Sequence, residues 1–270
     1  MLISVSIAVT LLNISHSLKA NEPITFASQP NIPTLYLEKT YAPLLRELSN
    51  RIHSTIHFRT RRSVTQYQEA IENEEFDIFI VNAFAYVAVR ENPKFHGLVR
   101  RAVQQHAEFF VVDPTLKSLD DLKGKRIGFP PLEMASSIIG LHKLHEAGFM
   151  ANDYQRLLFN EHLSCKQGLS SGHVDACVSS PLFIEDRLQQ FNRRFIPIAK
   201  TRSIPSSVIM IHERILHLET QLRNWFLNLN NTEQGRNYLR NTYLGELSEI
   251  NDSDYDEVAA ILQNRSQQGW

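Results

Sequence analysis

Short apolar runs alternate with stretches whose apolar positions recur every three or four residues, and the alternation persists along most of the chain. Residues 23–30 (PITFASQP) read as a strand ending in a turn. Residues 40–52 place Tyr41, Leu44, Leu45, Leu48 and Ile52 at helical spacing. Residues 56–60 (IHFRT) alternate and predict a strand. Ser63 to Gln66 has the form of a capping box, opening a helix to about Asn73. Residues 76–84 (FDIFIVNAF) are a short apolar strand, with a helix from Tyr86. The pattern then restarts: a strand at 106–113, one or two helical turns at 118–124, a strand at 125–129 and a helix at 135–147 closed by Gly148. A short helix at 163–170, stopped by Gly172, leads to a strand at 174–180, after which Pro181 opens another helix. Strands at 194–201 and 207–211 precede helices at 219–228, 232–239 and 254–263. Strand–helix alternation of this kind predicts an α/β fold with mostly parallel sheets.

Two stretches rhyme. Residues 63–81 run cap, helix and a strand entered through FDI, and residues 164–179 do the same through VDA. A unit repeated about a hundred residues later implies two similar lobes. Open parallel sheets take ligands beyond the carboxyl ends of their strands, so two facing lobes make a cleft.

Composition narrows the class. At 270 residues with a formal net charge of −1, the chain can bury a sizeable core in one or two domains, and its overall charge gives no basis for holding nucleic acid or an anionic membrane. The apolar run at residues 2–12 has the length of a signal-peptide core, too short to span a bilayer, so residues 1–20 are read as an export signal although a basic start is missing. The alternative is a buried N-terminal element. In an oxidising compartment the two cysteines, Cys165 and Cys177, read first as one disulfide. The sequence has no His-Glu-x-x-His, phosphate-loop or dinucleotide motif, which argues against an enzyme.

In the order and spacing of FDIFIVNAFAYVAV (76–89), SLDDLKGKRIGFPP (118–131), EHLSCKQGLSSGHVDACVSS (161–180) and SIPSSVIMI (203–211), the chain resembles the PhnD-like phosphate/phosphite/phosphonate-binding family of type 2 periplasmic solute-binding proteins. The likeness spans nearly all of residues 23–240. It implies an exported, monomeric, two-lobed α/β receptor without cofactor, each lobe a mostly parallel sheet flanked by helices. Lobe one would be residues 21–105 plus 203–270, and lobe two the insert 106–202, with the crossings near His106 and Thr201 as hinge. Such a receptor closes on a small oxyanion and presents it to an ABC permease. The alternative within the same fold is a sensing subunit for a membrane sensor kinase.

The chain departs from the family where the ligand is held. A Ser-Thr-Ser-Gly stretch is common in the family after the KGKRIGF-like strand; here residues 132–137 read LEMASS, placing Glu133 and Met134 at the Ser and Thr positions. A carboxylate there would repel a dianion. The family's aromatic and acidic recognition positions fall on Val81 or Asn82, Val64, Leu182 and Ser207, whereas its helix-opening His remains as His162.

The candidate ligand groups follow from these positions. His162 and Ser164 sit at one helix start, Ser63 and Thr65 at its lobe-one counterpart with Arg61 just before, and Ser136 and Ser137 at a third, where free N–H groups favour an anion. Asn82, Tyr86, Ser179, Ser180 and Ser207 lie at strand ends or turns, and Glu133 completes the set. Ordinary capping is the competing role for the serines and solvated loop charge for Arg61. A helix preceding a parallel strand runs back along it, which brings Cys165 toward Cys177 for a disulfide; two buried free thiols, or a thiol/metal or arsenite-like site with His162, are the other readings. His142 and His145 share a helix face and read as exposed side chains.

Overall fold

The structure, a computed structural model, describes residues 22–181 and 194–268. The export signal read at residues 1–20, the helix expected after Pro181 and the recognition position Leu182 lie outside the described residues. The elements run β1 (Ile24–Ala27), α1 (Thr34–Ile52), β2 (Ile56–Arg59), α2 (Val64–Glu72), β3 (Ile78–Val81), α3 (Ala83–Val89) and β4 (Phe95–Arg101) before the chain crosses to a second sheet. There it forms β5 (Glu108–Val111), β6 (Arg126–Phe129), α4 (Ala135–Glu146), β7 (Gln155–Leu158), α5 (His162–Ser170), β8 (Ala176–Ser179) and β9 (Ile196–Lys200). It returns as β10 (Val208–His212) and ends in α6 (Glu219–Asn228), α7 (Glu233–Asn241), β11 (Leu247–Ser248) and α8 (Asp256–Gln268).

The two sheets have the orders β11-β4-β10-β3-β1-β2 and β7-β6-β8-β5-β9. Strands joined through a helix pair in parallel, as in β1 with β2 and β6 with β7. Strands that have just crossed between sheets pair antiparallel: β10 with β3 and β4, β5 with β8 and β9. Most strands of each sheet therefore run the same way, as expected, while every crossing inserts one reversed strand between two others. The crossing segments bond each other, Gln105 N–H donating to Ile204 O at 2.8 Å and Ile204 N–H to Gln105 O at 2.9 Å.

Three strands escape the sequence pattern, β4, β7 and the two-residue β11. In β4 the buried residues are Phe95, Leu98 and Val99, which do not alternate, and an Arg pair closes the strand. The sheet edge β7 (QRLL) is largely exposed and carries no apolar signal; pairing with β6 makes it a strand. Helix α1 starts six residues before the expected point, behind Pro33, since only Leu37 of its first turns is buried. His142, expected to be exposed, is buried and pairs with Glu146 at 3.3 Å. Gly148 and Gly172 follow α4 and α5 with φ of +78° and +76°, the left-handed conformation that ends a helix at little cost.

Apolar packing joins the lobes in a closed arrangement. One buried cluster contains Phe79 and Tyr86 from the first lobe and Phe109, Phe129 and Val178 from the second, together with Tyr255, Val258 and Ile261 before and along α8. Arg202 pairs with Glu146 of α4 and Glu257 of α8, and Arg265 Nη1 donates to Leu132 O at 3.4 Å, so the C-terminal helix spans the junction.

Candidate functional site

The carboxyl ends of β1, β3 and β8 and the first turns of α4 and α5 converge between the lobes on a cavity of about 80 Å³. That is room for one small solute or a few waters. Its wall takes Gln29, Tyr41, Asn82, Arg101 and Ser207 from the first lobe and Met134, Ser136, His162 and Ser180 from the second. Among the described residues no carboxylate lines it.

Arg101 is its cation. The last residue of β4, it is held by Nε–H donating to Leu244 O at 2.6 Å and Nη1–H donating to Ser206 Oγ at 3.2 Å. No Asp or Glu among the described residues forms an ion pair with it. Burial lowers its pKa, yet a guanidinium keeps its proton in a protein. Tyr41 is buried, and burial pushes its hydroxyl up to about 12, so it stays a neutral donor; that hydroxyl bonds Thr242 O at 3.4 Å.

Across the cavity stands the start of α4. Its N-cap is Met134, whose side chain cannot cap, and the N–H groups of Ser137 and Ile138 turn back to Met134 O. The first two N–H groups, at Ala135 and Ser136, have no intrahelical acceptor. Ser136 Oγ is buried with no hydrogen-bond partner among the described residues, and so is Gln29 Nε2. A buried polar atom left unpaired costs about 1–3 kcal/mol, so two on one cavity mark a place made for a polar occupant.

His162 opens α5, with Nδ1 2.9 Å from Ser179 Oγ. Burial, reinforced by nearby Lys166, drives its pKa down to about 3, so the imidazole is neutral at physiological pH. Lys166 is itself buried, which lowers its pKa to about 7.

Of the residues singled out in the sequence, the structure brings His162, Asn82, Ser136, Ser180 and Ser207 to the cavity, with Ser179 behind His162. Asn82 also caps α3, its Oδ1 accepting from the N–H groups of Phe84 and Ala85, and its Nδ2 donates to Glu133 O at 3.1 Å across the cleft. Thr65 Oγ1 donates to Glu133 Oε1 at 3.1 Å, so these two meet between the lobes outside the cavity wall. The Glu133 carboxylate, expected to oppose an anion, therefore points elsewhere.

The remaining candidates are engaged away from the cavity. Ser63 caps α2 by accepting from Gln66 N–H at 3.1 Å, and Ser164 exchanges bonds with the Glu161 backbone in a capping box. Ser137 donates to Pro130 O at 2.9 Å. Arg61 pairs with Glu75 and lies 4.8 Å above the Phe76 ring. Tyr86 donates to Asp252 and packs on Tyr255.

The sequence reading missed Arg101, Tyr41 and Gln29. Arg101 closes a strand without alternation, Tyr41 looked like part of the apolar face of α1, and Gln29 sits in the turn after β1. Position beyond a strand end was the one signal available for Gln29.

Cys165 and Cys177 form a disulfide, their Cα atoms 6.0 Å apart, between the first turn of α5 and β8. That corrects the thiol-ligand reading with His162, since neither sulfur is a thiolate. Among the described residues no cluster of three or more His, Cys, Asp or Glu side chains is placed to hold a metal ion.

A mixed-sheet lobe pair with a polar cavity at the strand ends defines the class of two-lobed type 2 binding proteins. The chain belongs to the family of periplasmic substrate-binding proteins of phosphonate ABC transporters, which it matches over residues 26–255. No curated protein sequence matches it. Its fold is similar to that of PhnD1 from Prochlorococcus marinus, solved with methylphosphonate (TM-score 0.83, 15% identity, 90% of this chain and 98% of that one). A binding-protein component of a phosphonate ABC transporter from Pseudomonas aeruginosa has a TM-score of 0.80 at 12% identity, covering 90% of this chain and 86% of its own. The periplasmic aliphatic sulphonate-binding protein SsuA of Escherichia coli is more distant, with a TM-score of 0.64, 14% identity and coverages of 91% and 93%.

Proposed function

We propose that the protein is exported, captures a small phosphonate-type oxyanion between its lobes and presents it to an ABC permease. The observation that carries this reading is Arg101, a guanidinium without a carboxylate partner, on the same small cavity as the uncapped start of α4 and the unpaired Ser136 hydroxyl. Charge-assisted bonds from a guanidinium and bonds from helix-start N–H groups are the donors a tetrahedral oxyanion uses. His162, being neutral, adds polarity without a second full charge, and Gln29 and Tyr41 add further donors. The family and the methylphosphonate-bound relative support the ligand class. The cavity's size favours a compact head group.

The Glu133 contacts with Thr65 and Asn82 join the lobes when closed, and the paired crossing segments at Gln105 and Ile204 serve as the hinge. Closure shapes the surface that a permease reads. Among the described residues no helix is long and apolar enough to cross a membrane.

Calorimetric titration with methylphosphonate, phosphite and inorganic phosphate tests the proposal. At least one binds the wild-type protein, and Arg101→Ala weakens it by tenfold or more. If none binds, or if Arg101→Ala and Ser136→Ala both leave affinity unchanged, this is not the ligand site.

A further inference from the structure

On the outer side of Arg101 lies a second cavity of about 500 Å³, formed by α7 and the turn that follows it. Three guanidiniums line it, those of Arg101, Arg236 and Arg240, against one carboxylate, Glu246. Several arginines pair with acids, as in Arg126–Asp175, Arg202–Glu257 and Arg214–Asp77, but the three on this cavity do not. Among the described residues none of the three has an ion-pair partner, and Arg236 and Arg240 bond only uncharged oxygens, Asn230 O and Asn237 Oδ1.

Arg236 and Arg240 are one turn apart on α7, so their charges face the same side and repel each other. An anion between them turns that repulsion into attraction. The wall separating this cavity from the cleft is the turn after α7, where Tyr243 and Gly245 take φ of +57° and +61°. A tyrosine in that conformation carries backbone strain that the surroundings must hold. The bond from Arg101 Nε–H to Leu244 O, between those two residues, fastens the turn. One guanidinium thus braces the wall and faces both cavities.

We propose that the outer cavity binds a multivalent oxyanion of the phosphate type, as a site separate from the cleft. Its excess of cations suits more than one negative charge, its volume exceeds that of the cleft cavity, and buried Leu239 and the Tyr243 ring give an organic body something to pack on.

The probe is inorganic pyrophosphate, titrated calorimetrically into the full chain at low ionic strength, where exposed guanidiniums are least screened. Wild-type protein binds it, the double variant Arg236→Ala/Arg240→Ala binds at least about tenfold more weakly, and Ser136→Ala binds as wild type does. Both arginines are exposed, so the double variant should melt close to wild type, and Arg236→Lys/Arg240→Lys should restore most of the affinity. The proposal is overturned if wild type does not bind, if the double Ala variant binds unchanged, or if Ser136→Ala is the variant that loses binding, which would put pyrophosphate in the cleft.

Discussion

The unit β2-α2-β3 of the first lobe and the unit β7-α5-β8 of the second are the same construction built with different chemistry. Corresponding residues are 98 positions apart, Val64 with His162 and Ile78 with Ala176. The acid before each third strand does one job in both. Asp77 Oδ2 accepts from Thr25 N–H at 2.7 Å at the start of β1, and Asp175 Oδ2 accepts from Arg126 N–H at 2.8 Å at the start of β6. Each carboxylate also takes an arginine, Arg214 in one lobe and Arg126 in the other. What differs is how helix is fastened to strand. Where the second lobe joins Cys165 to Cys177, the first places Tyr67 and Phe79, both fully buried, with the Tyr67 hydroxyl donating to Ile80 O at 3.0 Å. The equivalent positions thus hold two buried aromatic side chains of one apolar cluster in the first lobe and a covalent staple in the second.

The ligand-facing ends differ in charge as well. The first lobe brings Arg101, Tyr41 and Gln29, and the second brings neutral donors at Ser136, Ser180 and His162, where the first has buried Val64. The cation belongs to one lobe, so under the proposed function an anion docked on Arg101 would be completed by the other lobe on closure.

The fastenings can be compared directly. Tyr67→Ala should cost about 3–5 kcal/mol in denaturant unfolding, more than the Cys165→Ala/Cys177→Ala pair, for which a short closed loop contributes about 3 kcal/mol. The reverse order would mean that the lobes rely on the two devices differently from this account. In the cleft, Arg101→Ala should lose about 1.5–3 kcal/mol of binding to methylphosphonate, and Ser136→Ala about 0.5–1.5 kcal/mol. Equal losses would deny the first lobe its electrostatic lead.

The smaller effects are pH-dependent. Unfolding lets His162 take up a proton that its buried site refuses, so it lowers stability as pH falls from its ordinary value near 6.5 toward about 3. His162→Val, which copies the first lobe, should flatten that part of the stability profile, read as unfolding free energy at pH 7 and pH 5. The Arg126 hydrogen bonds hold the Asp175 carboxyl below its ordinary value, so its contribution is present above pH 4 and lost as pH falls through the lowered pKa. Asp175→Asn should therefore lower the melting temperature at neutral pH and flatten its fall below about pH 4, measured by thermal melts.

Much of the scaffold was legible because it depends on local rules. Helical spacing at Tyr41, Leu44, Leu45, Leu48 and Ile52, the Ser63 cap and the glycines after α4 and α5 each act within a few residues. Strands β4 and β7 were not legible, because pairing with neighbours supplies what their side-chain pattern lacks. In the cleft, proximity to a strand end or helix start found His162, Asn82, Ser136, Ser180 and Ser207, but it also admitted Ser63 and Ser164, whose hydroxyls are taken by their own helix ends.

The sequence by itself determined the repeated lobe unit, its helix boundaries and the small set of polar groups near the strand ends, since periodicity and capping are written in neighbouring residues. The Cys165–Cys177 disulfide was legible too, from two cysteines on a helix and the strand that follows it. Tertiary structure alone decided that Arg101 is the cavity's cation and that Glu133 turns to Thr65. Those outcomes depend on contacts between segments far apart in the chain, and no local pattern encodes which partner a charge will find.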